Sequence, residues 1–448
     1  MAISMETTIG GGPSFNWHDR SYGYGTIFEI APTGTLSTLH NFCSQNGCPD
    51  GAFPTGLVQG VDRNFYGVTS QGGISTNPSC TSYTGCGTVF RLTPTGVLTT
   101  IYSFCSLPNC ADGAGWVSTG ALIQGADGNF YGTMPLGGVM GWGTIFKITP
   151  AGQLTTLYSF CSAVNCEDGE IPNSGLVQGA NGDFYGTTSS GGSPFWYAGT
   201  VFRLKADGTF TTLYRFCNES ECSDGAHPNT PLVVGKDGNL YGTTAGRGRG
   251  TIFKISPTGD FTHLYQFGTV EGDGTTPQGL LQGSDGNFYG TTAGNGCFTP
   301  CPDDGTVFQL TPEGQFTTIY SFVGSPGAYG AHPLAGLVQG TDGTLYGTTY
   351  LTTENKGNGV VFSLAAGLAP FVETNPASGI VGRTIGILGN YLKSTKTVSF
   401  NGTPAKAFTI VSDSLIEAPV PVGATTGYVT VTTSGGTLTS NVPFQVIR

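Results

Sequence analysis

The chain has 448 residues, 74 of them glycine, with 10% charged residues and a net charge of −11. That length exceeds one ordinary compact core, and the negative balance argues against nucleic acid or an anionic membrane surface as a partner. No run of about 18 apolar residues exists to cross a bilayer as a helix, while the Gly, Thr and aromatic content suits an all-β chain with many tight turns.

Residues 1–12 lack a basic start and an apolar core, so no signal peptide is read there. Met5 to Gly11 aligns with Tyr66 to Gly72, which places the start of the chain inside a repeat. From there to about residue 364 one unit recurs. Phe-Tyr-Gly stands at 65–67, 130–132, 184–186 and 288–290, and Leu-Tyr-Gly at 240–242 and 345–347. Gly-Thr-Val/Ile-Phe stands at 25–28, 87–90, 143–146, 199–202, 250–253 and 305–308, with Gly-Val-Val-Phe at 359–362. Successive copies lie 51 to 62 residues apart. A unit of that length cannot bury its own apolar face, so it must stack on copies of itself.

Each unit reads as four strands: a (175–178), b (183–188), c (199–204) and d (209–216) in the fourth copy. Strands c and d alternate with period two, placing Phe210, Thr212, Tyr214 and Phe216 on one side of d. The a–b turn carries Asp-Gly-Asn and the c–d turn Pro-Thr-Gly or a relative, residues that accept tight turns. A four-stranded meander repeated in this way predicts a seven-bladed β-propeller, with six blades plus a spare hairpin as the alternative. The first blade lacks a and the last lacks d. An up-and-down meander puts the tight turns at one end and the long b–c and d–a loops at the other. Loops on a rigid scaffold are where binding usually sits.

All twelve cysteines fall in those long loops as close pairs: Cys43/Cys48, Cys80/Cys86, Cys105/Cys110, Cys161/Cys166, Cys217/Cys222 and Cys297/Cys301. Four pairs share one spacing and one place in the repeat. Local disulfides in an oxidising compartment explain this better than zinc, which favours shorter spacing and two pairs together. The d–a loops repeat an Asp before Gly at Asp50, Asp112, Asp168, Asp224 and Asp273, so a ring of Ca²⁺ ligands is weighed against a repeated Asp-Gly turn, and no cofactor is expected. The b–c loops carry Tyr83, Trp142, Phe195, Trp196, Tyr197 and Phe298, the candidate binding residues for a protein partner or a sugar ring. The five histidines make no helix-spaced metal pair; His227 and His332 both precede a proline in Gly-Ala-His-Pro. No GxSxG, P-loop or HExxH motif occurs.

Residues 365–369 read as a linker between the propeller (1–364) and a tail (370–448). The tail has no cysteine and shows short strands between turns, the rhythm of an immunoglobulin-like sandwich.

Two resemblances follow from the residues. GLVQGxDGNFYGTT, GTVFRLTPTG and LTTLYSF resemble the GloVer-type tandem repeat of bacterial extracellular proteins, over about four-fifths of the chain. The tail resembles an IPT/TIG domain through Asn375 to Gly379, Ile385 to Gly389, Val398 to Gly402 and Gly427 to Val431. The first resemblance implies a secreted or surface-attached protein, the second a spacer or interaction module. The sequence therefore predicts an extracellular or cell-surface protein without catalytic activity: a structural or adhesion protein whose partners are proteins, copies of itself included. A filament subunit built by head-to-tail contacts is a second form of this expectation. Carbohydrate binding through the aromatic loops is the alternative.

Overall fold

The computed structural model describes residues 4–8, 24–30, 35–74, 80, 85–115, 120–192, 197–246, 249–294, 304–322, 331–350 and 359–447. Strands take 48% and helix 3%, so the chain is all-β. It packs as two compact units, one of residues 1–178 with 372–448, the other of residues 179–371.

In the first unit, repeat 1 is a three-stranded sheet of Ser4–Thr8, Thr26–Ile30 and Leu36–Asn41, the b, c and d strands. Repeat 2 has all four strands: Ala52–Gln59, Phe65–Gln71, Thr88–Leu92 and Leu98–Ser103. Repeat 3 follows with Ile123–Gln124, Phe130–Met134, Thr144–Ile148 and Leu154–Ser159, and strand a of repeat 4 is Val177–Gln178. The second unit continues repeat 4 with Phe184–Thr188, Thr200–Leu204 and Phe210–Arg215. Repeat 5 is Val233–Val234, Leu240–Thr244, Thr251–Ile255 and Phe261–Gln266. Repeat 6 is Thr275–Gln282, Phe288–Gly294, Thr306–Leu310 and Phe316–Ser321. Repeat 7 has Val338–Gln339, Leu345–Thr349 and Val360–Leu364, with no d strand among the described residues. Neighbours in each sheet are neighbours in sequence, the meander of a propeller blade.

The two sequence motifs are halves of one contact. The glycine of strand b lies directly opposite the phenylalanine of strand c: Gly67 with Phe90, Gly132 with Phe146, Gly242 with Phe253, Gly290 with Phe308. A Cβ on Gly242 would stand 2.5 Å from the Phe253 ring, and one on Gly67 2.4 Å from Phe90. The ring lies over the bare backbone of its cross-strand partner, a place only glycine leaves open. Repeat 1 departs from this rule, since its register sets Glu6 opposite Phe28.

Each sheet has two apolar faces. One, here the back, carries the b-strand Phe or Leu and the c-strand Phe. The other, the front, carries the b-strand Tyr and the c-strand Val or Ile. Strand d does not keep the single-sided alternation expected of it. A β-bulge shifts its register midway, so Thr212 pairs with Phe202 on the back while Tyr214 pairs with Val201 on the front. The same shift occurs in repeats 1, 2, 3, 5 and 6. An extra residue on one strand reverses which face the following side chains take. Within each unit a repeat thus lays its front on the back of the next. Tyr66 stacks on Phe130 and Tyr265 on Phe316, and the Tyr241 ring lies tilted over Phe288, each with ring centroids 4.0 Å apart. Phe42, Phe104, Phe216, Phe267 and Phe322, which follow the d strands, meet the next c-strand Phe edge-on.

The tail forms two antiparallel sheets around one apolar core. Glu373–Asn375, Thr384–Leu388, Leu415–Pro419 and Thr409–Ile410 make one; Thr403–Pro404, Thr397–Phe400, Val429–Thr433 and Gly436–Thr439 make the other. Ile385, Ile387, Val398, Phe400, Ile416, Val431 and Phe444 fill the space between them. The tail rests on the turn end of repeat 3. The Ser378 hydroxyl donates to Gln124 Oε1 at 3.2 Å in a buried contact, and Ile447 lies beside Gly128 of the a–b turn.

Candidate functional site

The long loops gather at the end of each repeat opposite its tight turns, as the strand order requires. The d–a loops after repeats 1 to 5 are each braced from inside by an aspartate. Asp112 accepts from the Tyr102 hydroxyl at 2.8 Å and from the backbone N–H groups of Ser106 and Leu107. Asp168 does the same with Tyr158, Ser162 and Ala163, and Asp273 with Tyr265, Gly268, Thr269 and Val270. In repeat 1 a histidine takes the tyrosine's place, with His40 Nε2 2.9 Å from Asp50. Asp112, Asp168, Asp224 and Asp273 are buried, turned into their own loops rather than toward a shared ion site. The sequence carried the signal for these braces: tyrosine and aspartate stand ten residues apart at 102/112, 158/168 and 214/224. A second set holds the opposite end, where Asp62, Asp127, Asp237 and Asp285 accept from the tyrosine hydroxyls four residues on.

These tyrosines bury their rings and donate to carboxylates, so ionising them is opposed twice. Burial pushes Tyr158 up to about 12 from 10.0; the Ser162 hydrogen bond works against it, and Asp168 adds to it. Tyr265 and Tyr289 are likewise pushed up to about 12, and Tyr66, Tyr102, Tyr131, Tyr214 and Tyr241 higher still. A tyrosine whose folded pKa lies above its unfolded value lends stability that is complete below pH 10 and vanishes as the pH climbs through the folded value. Cooperative alkaline unfolding is therefore expected between about pH 10 and 12, with tyrosinate absorbance appearing in the same transition. Tyrosinate absorbance that rises at pH 10 while the circular dichroism stays native would refute the braces.

Five cystines are present among the described residues: Cys43–Cys48, Cys80–Cys86, Cys105–Cys110, Cys161–Cys166 and Cys217–Cys222. Cys297 and Cys301 lie outside the described residues. In the four d–a loops both cysteines adopt the left-handed backbone, with φ from 47° to 64°. Side chains with a Cβ avoid that region. The loop after repeat 5, two residues shorter, has no cysteine; Gly268 follows Phe267 as Cys217 follows Phe216, and Gly272 stands directly before Asp273, both at φ 80°. The conformation is thus a demand of the loop, met by glycine or by a cross-linked pair. Cys80, Cys86, Cys105 and Cys110 come together with all four sulfurs within 4.8 Å of one another. This is the one described place where two pairs meet as a four-sulfur zinc site requires; joined as cystines, they hold no thiolate to bind a metal.

Successive loops are tied to one another. Gly73 N–H donates to Cys48 O, and Gly138 N–H to Cys110 O. Ile171 N–H donates to Trp142 O, so the b–c loop of repeat 3 is held between the cystine loops before and after it. On this frame Val139 is 80% exposed, Met140 56%, Trp142 42% and Val164 78%, with Leu107 about half exposed. In the second unit Tyr197 and Val270 are exposed on their loops. Of the six aromatic candidates, Trp142 and Tyr197 are therefore open to a ligand, each within its own unit. Tyr83, Phe195, Trp196 and Phe298 lie outside the described residues. His227 and His332 are brackets: Nδ1 of His227 lies 2.8 Å from Ser189 O and that of His332 3.1 Å from Ala293 O.

Among solved structures, the chain is similar to a luciferin-regenerating enzyme, at 13% identity, TM-score 0.42, covering 71% of this chain and 93% of that one. It is also similar to a gluconolactonase from Xanthomonas campestris, at 13% identity, TM-score 0.34, covering 69% and 88%. A functionally unknown protein from Desulfotomaculum acetoxidans matches at 14% identity, TM-score 0.43, covering 76% and 92%. Two of these bear enzyme names, which corrects the expectation of a chain without catalytic activity. No curated protein sequence matches the chain. The Gloeobacter/Verrucomicrobia repeat matches residues 14–180 and 118–362, more than half of the sequence, and the chain belongs to that family.

Proposed function

We propose that the chain is an extracellular display scaffold whose cystine-braced loops bind a protein partner at a cell surface. The observation that carries this is the run of exposed Val139, Met140 and Trp142 on a loop that is hydrogen-bonded on both sides. A rigid backbone lowers the ordering cost of binding, and exposed apolar and aromatic side chains supply the contact. Five cystines support an oxidising compartment, and no helix among the described residues is long and apolar enough to cross a membrane. The tail, with its IPT/TIG-like sequence, serves as the spacer or docking module. Its seat on the turn end of repeat 3 leaves the loop end of that repeat free.

The test is retention of the labelled chain on intact cells of its source and on their isolated envelopes. Met140→Glu/Trp142→Ala is expected to lower retention at least about tenfold, since anchors of this kind carry 2 kcal/mol or more. Val422→Glu, at an exposed position on the tail, is the control and is expected to bind like the parent. Equal retention of all three chains would sink the reading.

A carbohydrate-binding reading rests on the exposure of Trp142 and Tyr197, since aromatic faces stack on sugar rings. A glycan array gives the answer: a signal lost in Trp142→Ala or Tyr197→Ala favours it, and an empty array retires it.

A further inference from the structure

Repeat 2 is the one repeat of the sequence with a cysteine pair in both of its long loops, Cys80/Cys86 in b–c and Cys105/Cys110 in d–a. The four sulfurs lie within 4.8 Å of one another. Each of these residues is at most 7% exposed, in an apolar cluster with Phe104, Ala114 and Met134. Backbone bonds hold the two loops side by side without any help from sulfur. Gly115 N–H donates to Cys86 O at 2.8 Å, and Cys105 N–H donates to Gly113 O at 3.1 Å. Cys110 O accepts from Gly113 N–H and Gly138 N–H, both at 2.9 Å. Two local cystines have no need of this arrangement. Each closes its own loop, and those after repeats 1, 3 and 4 do so with no second pair beside them among the described residues. A tetrahedral zinc ion, with Zn–S of about 2.3 Å, sets its sulfurs about 3.8 Å apart, so these four need to close by about 1 Å at most. Four sulfur donors in a closed, buried place suit zinc and not Ca²⁺ or Mg²⁺, which take oxygen.

We propose that repeat 2, when reduced, is a four-cysteine zinc site, and that oxidation converts it into two cystines. Two equivalents of a dithiol reductant give four electrons and four protons to the two cystines and leave as their own disulfides. The four thiols so formed release four protons as their thiolates take one Zn²⁺. In the reverse direction, two equivalents of a disulfide oxidant take four electrons from the bound thiolates and four protons from water. They leave as thiols, and the ion is set free. The ion makes a link that the cystines do not, because it ties the b–c loop to the d–a loop. Cys161, Cys166 and Glu170 are the lesser candidate, with two sulfurs and one carboxylate. The site uses none of the side chains of the loop-face reading and stands or falls independently of it.

The experiment reduces the full chain with a dithiol, desalts it under nitrogen and titrates it with Co²⁺ as a spectroscopic probe, then with Zn²⁺. Uptake of a single ion with the absorption of tetrahedral four-sulfur cobalt is expected, displaced by zinc, with no uptake by the oxidised chain. Alkylation followed by peptide mass spectrometry places the ion without any variant. Zinc is expected to protect Cys80, Cys86, Cys105 and Cys110 and to leave the remaining thiols as reactive as before. Cys86→Ser/Cys110→Ser is expected to lose the four-sulfur absorption, and Cys43→Ser/Cys161→Ser to keep it. A reduced chain that takes up no cobalt, whether it keeps its native circular dichroism or not, would overturn the proposal. So would zinc protection of any other set of cysteines, or a four-sulfur absorption that survives in Cys86→Ser/Cys110→Ser.

Discussion

Gly242→Ala is expected to destabilise the second unit by about 1–3 kcal/mol, the cost of forcing extra volume into a packed core. The backbone of Gly242 has an ordinary negative φ, so alanine would be tolerated, even favoured, on conformational grounds. Space is what forbids it. The added methyl would meet Phe253 at 2.5 Å and Leu232 at 2.8 Å, both of them side chains. Phe253→Leu alone leaves a cavity between Phe216 and Phe261 and is expected to cost about 1–2 kcal/mol, less than the 3–5 of truncation to alanine. Together the two changes are expected to cost less than their sum by about 1–2 kcal/mol, because leucine vacates the space the methyl needs. Denaturant unfolding of the four chains of this cycle measures the coupling, and hydrogen exchange in Leu240–Thr244 and Thr251–Ile255 locates it. Strict additivity would show that the two motifs do not meet through this contact.

The second large effect separates cross-link from conformation. Replacing Cys217 and Cys222 by alanine removes a short-loop disulfide, a loss of about 2 kcal/mol in the chain-entropy model, and leaves two methyl-bearing residues at φ 64° and 58°. Replacing both by glycine removes the same disulfide but relieves about 1–2 kcal/mol of left-handed strain at each position, against about 0.5–1 kcal/mol of added chain entropy per glycine. The glycine pair is thus expected to lie within about 1 kcal/mol of the parent, and the alanine pair about 2 kcal/mol below it. Melting of both variants under oxidising conditions decides. Equal losses would mean that the loop does not require the left-handed backbone.

Much of this architecture is legible in the residues. Strand order, the tight turns and five of the six cysteine pairings follow from motif spacing, because a repeat states its pattern several times. The d strand was misread at one point. A bulge adds no residue type of its own, so nothing in Phe210 to Phe216 announces that Tyr214 turns to the other face. The aspartates were legible as a repeat, but their role was not. Asp-Gly reads equally as a turn or as an ion ligand until the Tyr102 hydroxyl is seen bonded to Asp112. The exposed Val139 and Met140 were missed, because valine and methionine read as core, and only the loop's seat between two cystine loops turns them outward.

The glycine pair at 268 and 272 also bears on how the protein matures. A segment that reaches a left-handed backbone at both ends without sulfur does not wait for an oxidant, so the cystine loops are expected to set their backbone before their thiols are oxidised. Each pair then closes between partners already side by side and five residues apart in sequence. For Cys43–Cys48, Cys161–Cys166 and Cys217–Cys222 oxidation in any order gives the same product, whereas the four neighbouring sulfurs of Cys80, Cys86, Cys105 and Cys110 are close enough to exchange and need sorting.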